Sequence, residues 1–379
     1  MKNKTLGLYL HIPFCVRKCA YCDFLSGPAG AEEKGLYVRA LLEEIREMGR
    51  RTEGCPVDSI FLGGGTPTTL SADQLTAVLR AVRQAFSVLP GAEITLEMNP
   101  GTDREELDDL LKNEVNRVSL GLQSTDKDEL KVLGRIHTYE DLLGTYDHLR
   151  ALGLANINID LMSALPGQTM ASWQRTLERV TALKPEHISA YSLIIEEGTP
   201  FFDLFEAGRL DLPDEETERD MYAVTEELLK ARGYHRYEIS NYARPGHESR
   251  HNSRYWTGGD YLGLGLGASS CFEGRRWKNT SDMTAYLENA GHPDRLREEM
   301  QVLTEKDKME EFMFLGLRMM KGVSGEDFRR RFGREIEEIY GPVLEEQIRR
   351  ELMVKEADRY RLTLRGIDIS NTVLAEFLL

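Results

Sequence analysis

The chain has 379 residues, 41% of them hydrophobic and 29% charged, with a formal net charge of −15. This is the composition of a soluble globular protein with one large and one small domain, or two of ordinary size, and no apolar run reaches the roughly 18 residues of a membrane span. The acidic balance leaves only a local basic patch for any phosphate backbone, which sets nucleic acid aside as a partner.

The first apolar stretch, within residues 1–15, superficially resembles a secretory signal, but it contains His11 and Pro13 and lacks a small-residue cleavage site. Leu6–Ile12 is instead a predicted strand, and the chain is expected in the cytoplasm. Further strands are predicted at Ser59–Leu62, Glu93–Met98, Arg117–Leu122, Asn156–Met162 and His187–Ile194. Most are rich in Val, Ile and Leu with little strict alternation, as in strands buried on both faces of a parallel sheet. Between them, apolar spacing predicts helices over Glu32–Arg50, Thr125–Leu133, Thr138–Leu152 and Ser172–Leu183. Two more helices open on capping boxes, Ser71 with Gln74 and Thr102 with Glu105. Six β-then-α units imply a parallel sheet with right-handed crossovers, open or curled into a barrel, with its site at the strands' C-terminal ends.

A helix over Asp214–Arg232 precedes a Gly- and aromatic-rich stretch, 233–279, that reads as irregular. From about Leu303 the pattern changes to helices at Lys306–Met320, Gly325–Arg331 and Ile336–Arg350. A hairpin of Met353–Lys355 and Tyr360–Leu364 around Ala357-Asp358 follows, giving a winged-helix-like module. Residues 301–379 hold 14 Lys and Arg against 16 Asp and Glu, so a protein-contact or lid role is favoured over DNA binding, with Arg329–Arg331 as a small basic spot.

Three of the five cysteines form a C-x3-C-x2-C run, Cys15, Cys19 and Cys22, just after the first strand. Zinc prefers four closed ligands, and no fourth cysteine lies nearby, which leaves His11 as the conceivable fourth. Three thiolates on an iron–sulfur cubane leave one iron open, and a methionine's amino and carboxylate groups can fill it. Cys55 and Cys271 stand alone and read as small buried hydrophobes; an odd count without a secretory signal argues against a disulfide framework. Gly63-Gly64-Gly65-Thr66-Pro67 follows the second strand, as a tight turn or as backbone brought close to a ligand. Glu97 ends the third strand, Gln123 follows the fourth, Asp160 lies in the fifth and Arg135 follows Leu133-Gly134. Each is a surface or capping group, or, at strand ends, a ligand contact.

The cysteine spacing and its place after a first strand resemble the radical S-adenosylmethionine superfamily. The resemblance implies a 4Fe-4S cluster on Cys15, Cys19 and Cys22, with S-adenosylmethionine on its open iron and cleavage of the sulfonium to a 5′-deoxyadenosyl radical. It places Tyr21 near the adenine and Gly64, Gly65 and Thr66 near the methionine amino group. Glu97, Gln123, Arg135 and Asp160 would meet the ribose and the methionine end. Tyr9–Cys15, Ser119–Ser124, Leu133–Arg135, Asn158–Met162 and Leu165–Thr169 narrow the resemblance to the oxygen-independent coproporphyrinogen III oxidase-like family, over nearly the whole chain. Tyr9 joins the implied cofactor contacts.

Two departures stand out. Family members that decarboxylate coproporphyrinogen III carry another cysteine two residues after the third, where this chain has Phe24, and an N-terminal extension, whereas here the cluster motif begins at residue 15. The segment His251–Trp256, H-N-x-x-Y-W, is similar to the haem-chaperone branch of the family. His251 reads either as a satisfied structural histidine or as a haem contact. Tyr237, Tyr242, Tyr255 and Trp256 are then candidate walls, and His235, His247 and Cys271 alternative ligands.

The expected fold is α/β: a partial (β/α)6 TIM-like radical S-adenosylmethionine barrel over 1–232, an irregular connecting segment over 233–300 and a small α-rich, winged-helix-like domain over 301–379. The expected function is haem binding and delivery to haem-dependent apoproteins, membrane respiratory enzymes among them. The cluster and S-adenosylmethionine would be cofactors and haem the cargo. Oxidative decarboxylation of coproporphyrinogen III and radical chemistry on haem itself are the alternatives.

Overall fold

The computed structural model describes residues 5–102 and 105–379. Six parallel strands form its centre: β1 (Leu6–Ile12), β2 (Pro56–Gly64), β3 (Ser87–Met98), β4 (Arg117–Gln123), β5 (Ile157–Ser163) and β6 (His187–Ser192). They lie side by side in chain order. β1 and β5 are buried at every residue except a half-buried central one, which is why their sequences do not alternate.

Helices return the chain between strands, and several of them start on side-chain caps. Ser71 and Gln74 complete a capping box on Ala72–Ala85, and Thr138 with Asp141 does the same for Tyr139–Ala151. Lys127–Leu133 begins later than the pattern suggested. Asp126 accepts from the N–H groups of Asp128 and Glu129, while Thr125 turns inward to Thr176 Oγ1 at 3.0 Å. The box expected at Thr102 and Glu105 spans residues 103–104, outside the described residues; the Thr102 hydroxyl donates to the Asn99 carbonyl at 2.7 Å.

The 233–300 stretch corrects the sequence reading, because it carries six strands and two α-helices. The strands are β7 (His235–Glu238), β8 (Asn241–Ala243), β9 (Tyr261–Leu264), β10 (Ser269–Phe272), β11 (Arg275–Asn279) and β12 (Arg297–Val302). β8 and β7 extend the sheet antiparallel beyond β6. β9 lies parallel to β1 at the other edge and leads outward to β10, β11 and β12, giving one mixed sheet of 12 strands. Four of the six have only three or four residues, too few to show a period in sequence. Leu262, Leu264, Trp277 and Tyr286 share one core with β1–β6.

A second core runs from Met309 to Phe377. Helices Glu305–Gly316, Gly325–Phe332 and Ile336–Arg349 surround it, with a three-stranded sheet of β13 (Val323–Ser324), β14 (Met353–Glu356) and β15 (Arg359–Leu362). β14 and β15 are the expected hairpin, and Ala357 takes the left-handed φ of 52° at its turn. Helices followed by such a hairpin make the winged-helix arrangement.

Candidate functional site

A cleft of about 450 Å³ opens at the C-terminal ends of the six parallel strands. Cys15, Cys19 and Cys22 line its mouth as free, half-buried thiols. Burial pushes the Cys15 and Cys22 thiols upward, so deprotonation there needs a positive partner. The loop is pinned at both ends. Cys15 N–H donates to the Gly27 carbonyl at 3.0 Å and Ala20 N–H to that of Leu133 at 3.1 Å. Among the described residues no three His, Cys, Asp or Glu side chains converge as one metal ion requires. A cubane differs in taking each thiolate on a separate iron, and three thiols along one loop suit that donor set.

The glycine turn packs on this loop. Gly65 N–H donates to Ile12 O at 2.8 Å and Thr66 N–H to Phe14 O at 2.6 Å. A Cβ on Gly65 would lie 2.4 Å from the Phe14 carbonyl oxygen. Gly64, at φ 108°, would carry one 2.5 Å from the His11 ring. Glycine is therefore required for the approach of two backbones before any ligand is considered.

Polar side chains fill the wall. Arg135 follows the left-handed Gly134, φ 78°, at the end of its helix. Its guanidinium donates to Tyr21 Oη at 2.7 Å and to Asn99 Oδ1 at 2.9 Å, while Asn99 Nδ2 donates to Thr66 Oγ1 at 2.9 Å. Burial pushes the Tyr21 phenol up to about 12 against the pull of Arg135. Arg135 Nε is buried without an acceptor, a donor suited to a ligand carboxylate. Glu97 accepts from Gly64 N–H at 3.1 Å. Burial, then the charge of Asp160, pushes the Glu97 carboxyl up to about 8. A cationic amino or sulfonium group brought there would reverse that balance. Gln123 turns at a positive φ of 73°, beside a bulge in β4, and accepts from the Tyr191 hydroxyl at 3.2 Å.

Asp160 is held from below by a directed chain of hydrogen bonds. Asn158 Nδ2 donates to Asp160 Oδ1 at 2.7 Å and Ser119 Oγ to Oδ2 at 3.1 Å. Asn158 Oδ1 can only accept, so His187 Nδ1 carries the proton between them at 2.6 Å. His187 Nε2 then accepts from Tyr237 Oη at 2.8 Å, and that oxygen accepts from Ser249 N–H at 3.3 Å. Burial lowers the His187 pKa well below its ordinary value, in keeping with a neutral ring. Ser249 caps helix Arg250–Trp256, the H-N-x-x-Y-W segment, so the chain links the cleft to that helix.

Three comparisons bear on this geometry. The radical SAM superfamily matches residues 9–180 and the HemN C-terminal domain residues 303–369. Heme chaperone HemW of Lactococcus lactis is 38% identical over 380 residues, covering 100% of this chain and 99% of that protein. The chain belongs to the HemW family. The HemW of Bacillus subtilis is 36% identical, with 98% of each chain covered. The fold itself matches a coproporphyrinogen III oxidase (HemN) from Escherichia coli, described as a radical SAM enzyme, with a TM-score of 0.86 at 24% identity, over 99% of this chain and 90% of that one. Superfamily membership implies S-adenosylmethionine and a 4Fe-4S cluster.

Of the residues singled out from sequence, the cleft gathers the three cysteines with Tyr21, Gly64, Gly65, Thr66, Glu97, Gln123, Arg135 and Asp160. Tyr9 is not among the lining residues; its hydroxyl meets His11 Nδ1 at 3.0 Å beneath the cleft. His251 corrects the haem-contact reading. It is 1% exposed, with Nδ1 on Ser59 Oγ at 3.1 Å, Nε2 on Tyr255 Oη at 2.8 Å and its ring stacked on Phe61. Burial, with Arg254 and Arg117 adding, pulls the imidazole down to about 3. In this HemW-family chain both ring nitrogens are engaged, so no lone pair is free for iron. His235 pairs with Glu248 at 2.7 Å, and Cys271 lies on β10, outside the cleft. Sequence reasoning missed Asn99, Asn158 and His187. The available signals were that Asn99 and Asn158 stand within two residues of Glu97 and Asp160, and that Asn158 opens the Asn158–Met162 motif.

Proposed function

We propose that this chain is a haem chaperone of the cytoplasm, which binds haem as cargo and passes it to haem-dependent apoproteins. Full-length likeness to proteins named heme chaperone HemW carries the reading. Cys15, Cys19 and Cys22 would hold the 4Fe-4S cluster, whose open iron takes the amino and carboxylate groups of S-adenosylmethionine. When bound, the cluster supplies an electron at low potential. Gly64 and Gly65 bring backbone close to the methionine amino group, Glu97 offers it a carboxylate, and Arg135 Nε offers a donor to its carboxylate. Asp160 accepts from ribose hydroxyls, and Tyr21 borders the adenine. Phe24 occupies the lip where decarboxylating members carry a cysteine, 59% exposed and with no thiol to offer. No helix among the described residues is long and apolar enough to cross a membrane, so a membrane-bound acceptor would be met at its surface.

The test is product analysis. Reconstituted protein, incubated anaerobically with S-adenosylmethionine, a reductant and coproporphyrinogen III, should yield no protoporphyrinogen and should bind added haem saturably. Stoichiometric protoporphyrinogen would overturn the chaperone reading in favour of decarboxylation.

A further inference from the structure

With His251 sealed in the barrel, the surface that receives haem has to be sought elsewhere. Haem presents a flat apolar macrocycle and two propionates, so its docking surface needs exposed apolar side chains next to cations. Large apolar side chains left to solvent are the informative kind of exposure when they gather at one place. Two of them, Phe24 and Ile194, line the cleft, and Val16 and Ile136 lie next to cleft residues in the chain. From the cysteine loop come Val16, 70% exposed, and Phe24, 59% exposed; from the loop after β6 comes Ile194, 69% exposed. Phe24 and Ile194 line the same cleft although they follow the first and last of the six parallel strands, so two separate loops each bring an exposed apolar side chain to it. Ile136, 65% exposed, follows the cleft residue Arg135. Arg17 and Lys18, exposed on the cysteine loop and lining the cleft, set positive charge beside this apolar rim in a chain whose net charge is −15.

We propose that haem docks across this rim, its macrocycle against Phe24 and Ile194 and its propionates on Arg17 and Lys18. The proposal rests on the chaperone reading and deepens it by naming the cargo surface. It puts the cargo at the cysteine-loop lip of the same cleft whose polar wall is assigned to S-adenosylmethionine. It also gives position 24 a role: an aromatic side chain supplies a stacking face. An exposed rim suits cargo that has to leave again, because it is not enclosed.

The test is a haem titration followed by Soret absorbance, on anaerobically reconstituted wild type and on Phe24→Ser, Ile194→Ser, the double variant, Arg17→Glu with Lys18→Glu, and His251→Gln. Iron content and melting temperature are read alongside. Ile194→Ser, remote in sequence from the cysteines, separates loss of the rim from damage to the cluster loop. The rim predicts that the double variant binds haem at least about tenfold more weakly with iron content unchanged. The charge-reversed variant should weaken binding in a salt-dependent way, and folded His251→Gln should bind within about threefold of wild type. Equal haem affinity in wild type and the double variant would overturn the rim while leaving the chaperone reading in place. No saturable binding by wild type would overturn the chaperone reading itself, and the rim with it.

Discussion

At the scale of single residues, the cluster assignment stands on Cys15, Cys19 and Cys22, and it makes a quantitative demand. Reconstitution should load about four irons per chain, and Cys19→Ala should lose most of them; retention of the full iron content would show that the cluster lies elsewhere. Glu97 carries a pH signature. Its carboxyl is raised from an ordinary 4.5 to about 8 in the folded chain. The stability it contributes as a neutral acid is fully present below pH 4.5 and is lost as pH rises through about 8. Glu97→Gln should flatten that decline in urea unfolding measured from about pH 5 to about pH 9. Glu44, buried and raised to about 7, adds a decline of its own that the variant leaves in place, so the comparison isolates Glu97. An unchanged slope would show that Glu97 is already ionised in the ligand-free cleft.

Between elements, the glycine turn is the tightest joint. Gly65→Ala sets a methyl group against the Phe14 carbonyl, and overpacking against backbone costs about 1–3 kcal/mol. A lowered melting temperature with reduced iron loading is expected; wild-type values for both would mean the loop yields freely. Helix Arg250–Trp256 is the other joint. Glu93 accepts from the N–H groups of Arg250 and His251 at its start, and Arg254 pairs with Asp58 along it. His251→Ala would remove a ring stacked on Phe61 and strand its partners, a loss of about 2–4 kcal/mol in denaturant unfolding. These elements show what a sequence can and cannot declare. The cysteine run, the triple glycine and the strand-end Glu97 and Asp160 are contiguous or sit at strand ends, so spacing exposes them. Asn158 and His187 matter through partners on neighbouring strands and through Tyr237 far along the chain, and no local pattern marks such pairs. His251 shows the converse: its motif is conspicuous, but only the packing reveals that both nitrogens face inward.

Across the whole molecule, the Asp160–Asn158–His187–Tyr237–Ser249 chain joins the cleft to helix Arg250–Trp256, whose Asn252 also lines the cleft. The Tyr237 backbone carbonyl also accepts from Met320 N–H of the C-terminal module at 3.0 Å, and the Arg318 guanidinium lies 4.3 Å over the Trp256 ring. Tyr237→Phe would cut the chain at one hydroxyl, costing about 1–2 kcal/mol of stability. If Asp160 is positioned through it, S-adenosylmethionine should bind several-fold more weakly by calorimetry at unchanged iron content. Equal affinity would confine the chain to a structural role. The most direct trial of the account as a whole is the fate of haem. Reconstituted protein would be incubated anaerobically with haem, S-adenosylmethionine and a reductant, then separated from free ligand, and its porphyrin extracted and quantified. The account predicts stoichiometric haem carried with the protein and recovered chemically intact; recovery of none, or of a ring-opened or otherwise altered product, would contradict it.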